Sequence, residues 1–459
     1  MQLFPAEFVM GAASAAYQIE GAFDADGKGR SIWDDFVSHR GNVRNGDTGM
    51  IACDHYRRWE EDLDLAAAME LQAYRFSISW PRVLPEGRGQ INQAGLDFYS
   101  RLVDGLLSRG IQPVPTLFHW DLPSRLQRDM GGFANRAIVP IFADYASIVS
   151  KALGDRVKTW ITVNEPFEFS CFGHLFGTHA PGRKNPFIYL PVIHHVLLAH
   201  GMAMAAVRAE LADARIGPSL SWTPVHPASP SAHDMAAAER ANAFMNGVTF
   251  DPILKGAYPR MICDRLILKP PVRPGDMEII ARPVDFVGLN YYSREFARNN
   301  PWVPLVKADV SGKETRDVPE TDQRTAMGWE VYHEGMSEVL ASLREEYGNP
   351  PVYVTEFGSA WTDSVDDGPE GRRVADHRRV DFLAGELGSM LNAIEKGSDL
   401  RGCFVWSLTD NFEWAEGFSK RFGLIHVDYK TQKRTMKDSG LAYARLIATR
   451  DLQQVRGAL

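Results

Sequence analysis

Cysteine is scarce and shows no pattern. Four occur in 459 residues, at Cys53, Cys171, Cys263 and Cys403, with no C-x-x-C pair. That scatter argues against a disulfide framework and for reduced, mostly buried thiols. No His/Cys cluster has zinc spacing, so no metal site is expected. His194, His195 and His200 lie in one apolar helical stretch, but 195 and 200 are five apart and do not share a helix face. They read as packing or surface histidines. Lys/Arg-rich runs are also missing, and the formal net charge is −8, which argues against a nucleic-acid partner. No Ser/Gly-rich or charge-run linker divides the chain, so residues 1–459 read as one domain. No apolar run reaches the length of a membrane span. The stretch Phe8–Tyr17 resembles a short signal-peptide core, but Glu7 and the lack of Lys or Arg before it argue otherwise. The expectation is a cytoplasmic protein with no membrane partner.

What is present is an ordinary globular composition, 45% hydrophobic and 24% charged. Short β-branched and aromatic runs alternate with helical patterns. The strands are expected at Phe8–Ser14, Ala73–Ser79, Gln112–His119, Thr159–Val163, Ala214–Trp222, Asp285–Asn290, Val352–Glu356 and Gly402–Ser407. Helical patterns lie between them, among them Trp59–Met69, Gln93–Ser108, Ala137–Leu153, Leu190–Leu211 and Tyr332–Tyr347. Eight strands separated by helices predict an α/β fold, a single (β/α)8 barrel. Residues 223–236 and 293–330 break the rhythm and read as long βα loops walling the active site.

Two short segments then carry the chemistry. Thr162-Val-Asn-Glu-Pro166 and Val354-Thr-Glu-Phe-Gly358 each put a glutamate where a strand gives way to a loop. The sheet fixes such a carboxylate and the loop exposes it. Two facing carboxylates are the machinery of glycoside hydrolysis. The 11 tryptophans could be core or flat platforms for sugar C–H faces, and composition alone does not choose.

Seven motifs in order, each at or just after an expected strand, carry a resemblance. They are Ala16-Tyr-Gln-Ile-Glu-Gly21, Tyr74-Arg-Phe-Ser-Ile-Ser-Trp80, Leu117-Phe-His-Trp-Asp-Leu-Pro123, Thr162-Val-Asn-Glu-Pro166, Leu289-Asn-Tyr-Tyr292, Thr355-Glu-Phe-Gly358 and Trp406-Ser-Leu-Thr-Asp-Asn-Phe-Glu-Trp414. Over essentially its whole length the chain resembles the β-glucosidases of glycoside hydrolase family 1, which implies a TIM barrel. The resemblance puts the general acid/base at Glu165 and the nucleophile at Glu356. Arg75 and Tyr292 would serve Glu356, the arginine favouring its ionised form. Gln18, His119, Asn164, Asn290 and Glu413 would hydrogen-bond sugar hydroxyls, Asn164 at the 2-hydroxyl. Trp406 would be the platform, with Trp120, Trp414 and Phe422 as walls. Trp329 resembles the family's leaving-group platform, and Phe172, His174 and Phe176 are candidates for the entrance. Retention of configuration and a carboxyl separation of ~5–5.5 Å are implied. The expected partner is a small β-glycoside or a short oligosaccharide, with no metal or organic cofactor. Assembly into a homo-oligomer is left open.

Two positions depart from the family. Phe357 follows the nucleophile where asparagine is usual, and His333 stands where proline is usual. Glu413 bears on a rival reading, a 6-phospho-β-glycosidase, because a carboxylate there would repel a phosphate. The segment Trp414–Phe422 also lacks that branch's Ser and Lys-x-Tyr pattern. A non-catalytic sugar-binding protein on the same fold is the other rival, opposed by the presence of both carboxylates.

Overall fold

The computed structural model describes residues 3–265, 268–311, 319–368 and 371–456. Eight parallel strands close into a barrel in sequence order. We number them β1 (Val9–Ala13), β2 (Ala73–Ser77), β3 (Gln112–Phe118), β4 (Thr159–Asn164), β5 (Arg215–Ser221), β6 (Val287–Tyr291), β7 (Val352–Phe357) and β8 (Leu400–Trp406). Each matches an expected strand to within about two residues at either end. The closing pair is β1 with β8, in register from Val9↔Gly402 to Ala13↔Trp406.

The barrel interior is lined by Ala13, Ala73, Val114, Ile161, Phe404 and Trp406. Small residues on β1 and β2 make room for the aromatic ones on β8. A Cβ on Gly11 would lie 2.5 Å from the Ala73 carbonyl oxygen and 2.7 Å from the Phe404 ring. Any larger residue there would push β1 off its neighbours. Gly358, just past β7, meets the same constraint: a Cβ would lie 1.9 Å from the Trp406 carbonyl oxygen.

The ladder is irregular where two of the strands approach the candidate site. Register shifts fall between Ile161 and Asn164 on β4 and between Val354 and Glu356 on β7. Such bulges re-aim the side chains that follow them. Nothing in local hydropathy announces them.

The two long loops are more ordered than their composition suggests. Val225–Pro227, Glu295–Asn299 and Ala308–Ser311 form a three-stranded sheet, and Ala232–Asn242 is a helix packed on it. Residues 312–318 of the second loop lie outside the described residues.

One further expectation needs correction, and another narrows. Helix Pro186–Glu210 is long and apolar enough by length and composition to cross a membrane, contrary to the hydropathy reading. Most of that apolar window is buried inside the protein, packed on helix Ile138–Leu153 among others. Its apolarity on every side is that of a helix covered all round. The three histidines it carries are all buried, so none is a surface residue. His194 bridges Asp276 and Tyr258 at 3.0 Å each, His195 meets the Phe133 carbonyl at 2.9 Å, and His200 meets Thr162 Oγ1 at 2.6 Å.

Asp363, Asp410 and His426 bring their ligand atoms close enough to hold a cation. Lys437 already provides one. Its Nζ lies 2.8 Å from both Asp363 Oδ2 and Asp410 Oδ1, fully buried. Arg421 adds a second contact to Asp410. Burial pushes the Asp410 carboxyl up, but Lys437 and Arg421 more than offset it and hold it at about 2. The cluster anchors the segment after β8, which carries Glu413 and Trp414. Because the folded value is depressed, the stabilisation from Asp410 is present above about pH 4 and is lost as pH falls through about 2. Lys437→Met should cost roughly 3–5 kcal/mol, since it removes the cation that two buried carboxylates share. A drop in denaturation midpoint checks this; an unchanged midpoint would contradict it.

Candidate active site

The C-terminal ends of the strands surround a cavity of about 510 Å³. His119 and Trp120 follow β3, Glu165 follows β4, and Asn290 and Tyr292 sit at the end of β6. Glu356 lies near the end of β7 and Trp406 ends β8. With Trp329, Glu413, Trp414 and Phe422, all these residues line the cavity. Arg75, Asn164 and Gln18 are also buried, in a layer directly bonded to the lining residues.

Glu356 receives two donors. Arg75 Nη1 lies 2.6 Å from Oε1, and the Tyr292 hydroxyl lies 2.7 Å from Oε2. The same guanidinium donates to the Thr355 carbonyl at 2.9 Å and to Asn164 Oδ1 at 2.6 Å. Burial, then the charges of Glu356 and Glu165, push the Tyr292 phenol well above its ordinary value. It therefore stays protonated and donates.

Glu165 has a different environment. Its backbone is left-handed, at φ 46°, between the end of β4 and the helix that begins at Pro166. Asn290 Nδ2 donates to Glu165 Oε1 at 3.0 Å and to Asn164 Oδ1 at 3.1 Å. Asn290 is itself fixed through its carbonyl oxygen by Ser219 and Thr355, at 2.9 and 2.8 Å. The two glutamates are thus joined through one hydrogen-bonded path, Glu356–Arg75–Asn164–Asn290–Glu165.

Asn164 Nδ2 faces His119 Nε2 at 3.1 Å. Burial, and next the charge of Arg75, hold His119 well below its ordinary value. A neutral ring accepting at Nε2 carries its proton on Nδ1. Burial lifts Glu413 to about 8; the charges of Glu356 and Glu416 add to this, against donation from Asn411. Gln18 Nε2 donates to the Phe412 carbonyl at 2.9 Å and reaches Glu413 at 3.4 Å, while Gln18 Oε1 is buried with no hydrogen-bond partner among the described residues.

The aromatic walls are braced in turn. Trp414 packs against Trp120 at 4.8 Å and Trp33 at 4.5 Å between ring centroids. Trp329 lies 5.2 Å from Tyr292 and 6.1 Å from Phe422. Of the three entrance candidates, Phe172 lines the cavity. His174 is buried against the Phe169 carbonyl at 3.3 Å, and Phe176 is exposed. Phe357 turns into the main core and is fully buried, so no polar group stands behind Glu356 at that position. His333 pairs with the buried Glu386 at 2.9 Å and so ties helix Glu334–Glu346 to helix His377–Glu395.

Several lining residues escaped the sequence reading, including Glu168, His179, Ser221, Trp222 and Thr223. The last three follow directly from the strand-end rule applied to β5. Trp33, which packs on Trp414 without lining the cavity, was missed because it comes from a short helix far from any strand end.

Arg75→Met should lower kcat/KM by at least roughly a hundredfold, because it leaves Glu356 buried without its cation. An unchanged kcat/KM would contradict the role given to the ion pair.

The family model described as Glycosyl hydrolase family 1 matches residues 1–452. The chain is 47% identical over 453 residues to "Beta-glucosidase A" of Thermotoga maritima, covering 98% of this chain and 99% of the relative. It is 44% identical over 465 residues to a "Bifunctional beta-D-glucosidase/beta-D-fucosidase" of Bifidobacterium breve, covering 97% and 98%. Among solved structures it is similar to the family 1 β-glucosidase from Thermotoga maritima in complex with isofagomine lactam, with a TM-score of 0.91, 46% identity and coverage of 98% and 99%. The chain belongs to glycosyl hydrolase family 1.

Proposed function

We propose that this protein is a retaining β-glucosidase that removes terminal non-reducing β-D-glucosyl residues, with β-fucosidase and some β-galactosidase activity. The observation that carries the reading is the pair of carboxylates at one cavity in unlike environments. Glu356 takes a guanidinium and a phenol donor; Glu165 takes a neutral amide donor from Asn290.

In the first step the Glu356 carboxylate forms a bond to the anomeric carbon. The bond from that carbon to the glycosidic oxygen breaks, and Glu165 gives its proton to that oxygen. The product is a glycosyl ester on Glu356. Its formation removes a negative charge from the cavity, and with it a repulsion that favoured the protonated form of Glu165. Glu165 can then take a proton from water as the water attacks the anomeric carbon and the Glu356 carboxylate departs. Arg75 and Tyr292 meet the charge on Glu356 at the start and end of the cycle.

Sugar recognition follows from the donors and acceptors. Neutral His119 offers its Nδ1–H, Gln18 Oε1 is left for a hydroxyl, and Trp406 offers a flat face. A Glu413 lifted to about 8 carries a proton at neutral pH and can donate as well as accept. That flexibility suits 4- and 6-hydroxyl groups and is compatible with fucose, which lacks the latter. A phosphate at that position would meet a carboxyl in apolar surroundings. The Bifidobacterium breve relative, named for both activities, supports the fucoside part.

The test is a panel of nitrophenyl β-glycosides: glucoside, fucoside, galactoside and glucoside 6-phosphate, with the anomer followed by NMR. The reading expects the glucoside to be cleaved well, the fucoside also, and the 6-phosphate poorly, with β-glucose released first. Glu356→Ala should abolish turnover while leaving binding largely unchanged. Preference for the 6-phosphate, or initial release of α-glucose, would overturn it.

A further inference from the structure

One wall of the cavity comes from the segment after β4 and the end of β5. The first supplies Glu168, Phe172 and His179, and the second Ser221, Trp222 and Thr223. Glu168 stands three residues beyond Glu165, within the short helix Pro166–Ser170. Like Glu165 it is buried yet lines the cavity.

The two carboxylates are held by neighbouring strand ends. Asn290 on β6 donates to Glu165, and Ser221 on β5 donates to Glu168 Oε1 at 2.6 Å. Ser221 and Asn290 are register partners across the β5–β6 ladder. A second acidic side chain is therefore fixed beside the expected proton donor, on a side of the cavity built by other elements than those carrying Trp406 and Glu413. A group that protonates the glycosidic oxygen has the departing alcohol next to it. The residue beside that group meets the leaving group.

We propose that Glu168 is a leaving-group-binding residue that selects polyhydroxylated leaving groups, a second sugar above all, over aryl or alkyl alcohols. This rests on the β-glucosidase reading of the same cavity. A carboxylate has several acceptor lone pairs, of which the Ser221 hydroxyl engages one, and sugar hydroxyls are donors to such a group. Trp222 and Phe172 supply apolar surface for the C–H faces of that sugar. An aryl leaving group gives the carboxylate no donor and has only the apolar surface to use. Glu168 also disfavours leaving groups that carry a negative charge.

The experiment compares kcat/KM for cellobiose and for nitrophenyl β-glucoside in the wild type and in Glu168→Val, Glu168→Gln and Ser221→Ala. A hydrogen bond to a charged acceptor predicts that Glu168→Val loses about tenfold or more on cellobiose, and less than about threefold on the nitrophenyl substrate. Glu168→Gln keeps one acceptor and should fall between. Ser221→Ala, which removes one of the contacts that hold the carboxylate, should shift the ratio in the same direction by less. Turnover of the nitrophenyl glucoside within about threefold of the wild type shows that each variant is folded. Equal losses on both substrates would make Glu168 a support for Glu165 or for the fold, and overturn the proposal. No loss on either would overturn it too. A wild type inactive on both would instead sink the β-glucosidase reading.

Discussion

The arrangement depends on one buried ion pair. Arg75 is 1% exposed and its guanidinium touches groups on three other strands: Thr116 on β3, Asn164 on β4, and Thr355 with Glu356 on β7. Burying a guanidinium and a carboxylate costs several kcal/mol each unless their geometry and remaining hydrogen bonds are good. Here a fork-shaped donor set is matched to acceptors on strands that approach from different sides of the barrel. The fold can accept the charge because each of these partners is an oxygen fixed at or near the end of a strand. Barrel closure, the position of Glu356 and the orientation of Asn164 are consequently one structural problem with one solution.

From that pair the rest of the cavity follows in order. Asn164 passes the constraint to Asn290, which holds Glu165, and to His119, which is kept neutral by burial and by the same arginine. Glu413 belongs to a separate unit. It is placed by the segment after β8, pinned by Asp410 and Lys437, and its proton affinity is raised by burial and by the charge of Glu356. Three carboxyl groups of the cavity thus work in three settings: paired with a cation, held by an amide, and buried among aromatic rings.

Much of this was legible in the sequence. Each barrel strand is a short apolar run ending in a polar or aromatic motif, and that pattern located all eight. His119, Glu165, Asn290, Glu356 and Trp406, which the structure gathers at the cavity, sit where those runs end. Other features left no local trace. The bulges at Asn164 and Glu356 are properties of paired strands, not of either strand alone. The small sheet pairs Val225–Pro227 with Glu295–Asn299, segments about seventy residues apart, each of which reads as loop by itself. Helix Pro186–Glu210 hid its membrane-like length behind histidines and a proline that a hydropathy reading takes as interruptions. Glu168 reads as a surface charge until Ser221 is seen beside it.

The central claim is that Glu356, held by Arg75 and Tyr292, forms the bond to the sugar. Incubation with a 2-deoxy-2-fluoro-β-glucosyl fluoride, whose electron-poor sugar slows release from the enzyme, followed by peptide mass mapping, tests it most directly. The account predicts one fluoroglucosyl adduct, carried by the peptide containing Glu356 and absent from Glu356→Ala. An adduct on another residue, or turnover of the reagent with no adduct at any time, would contradict it.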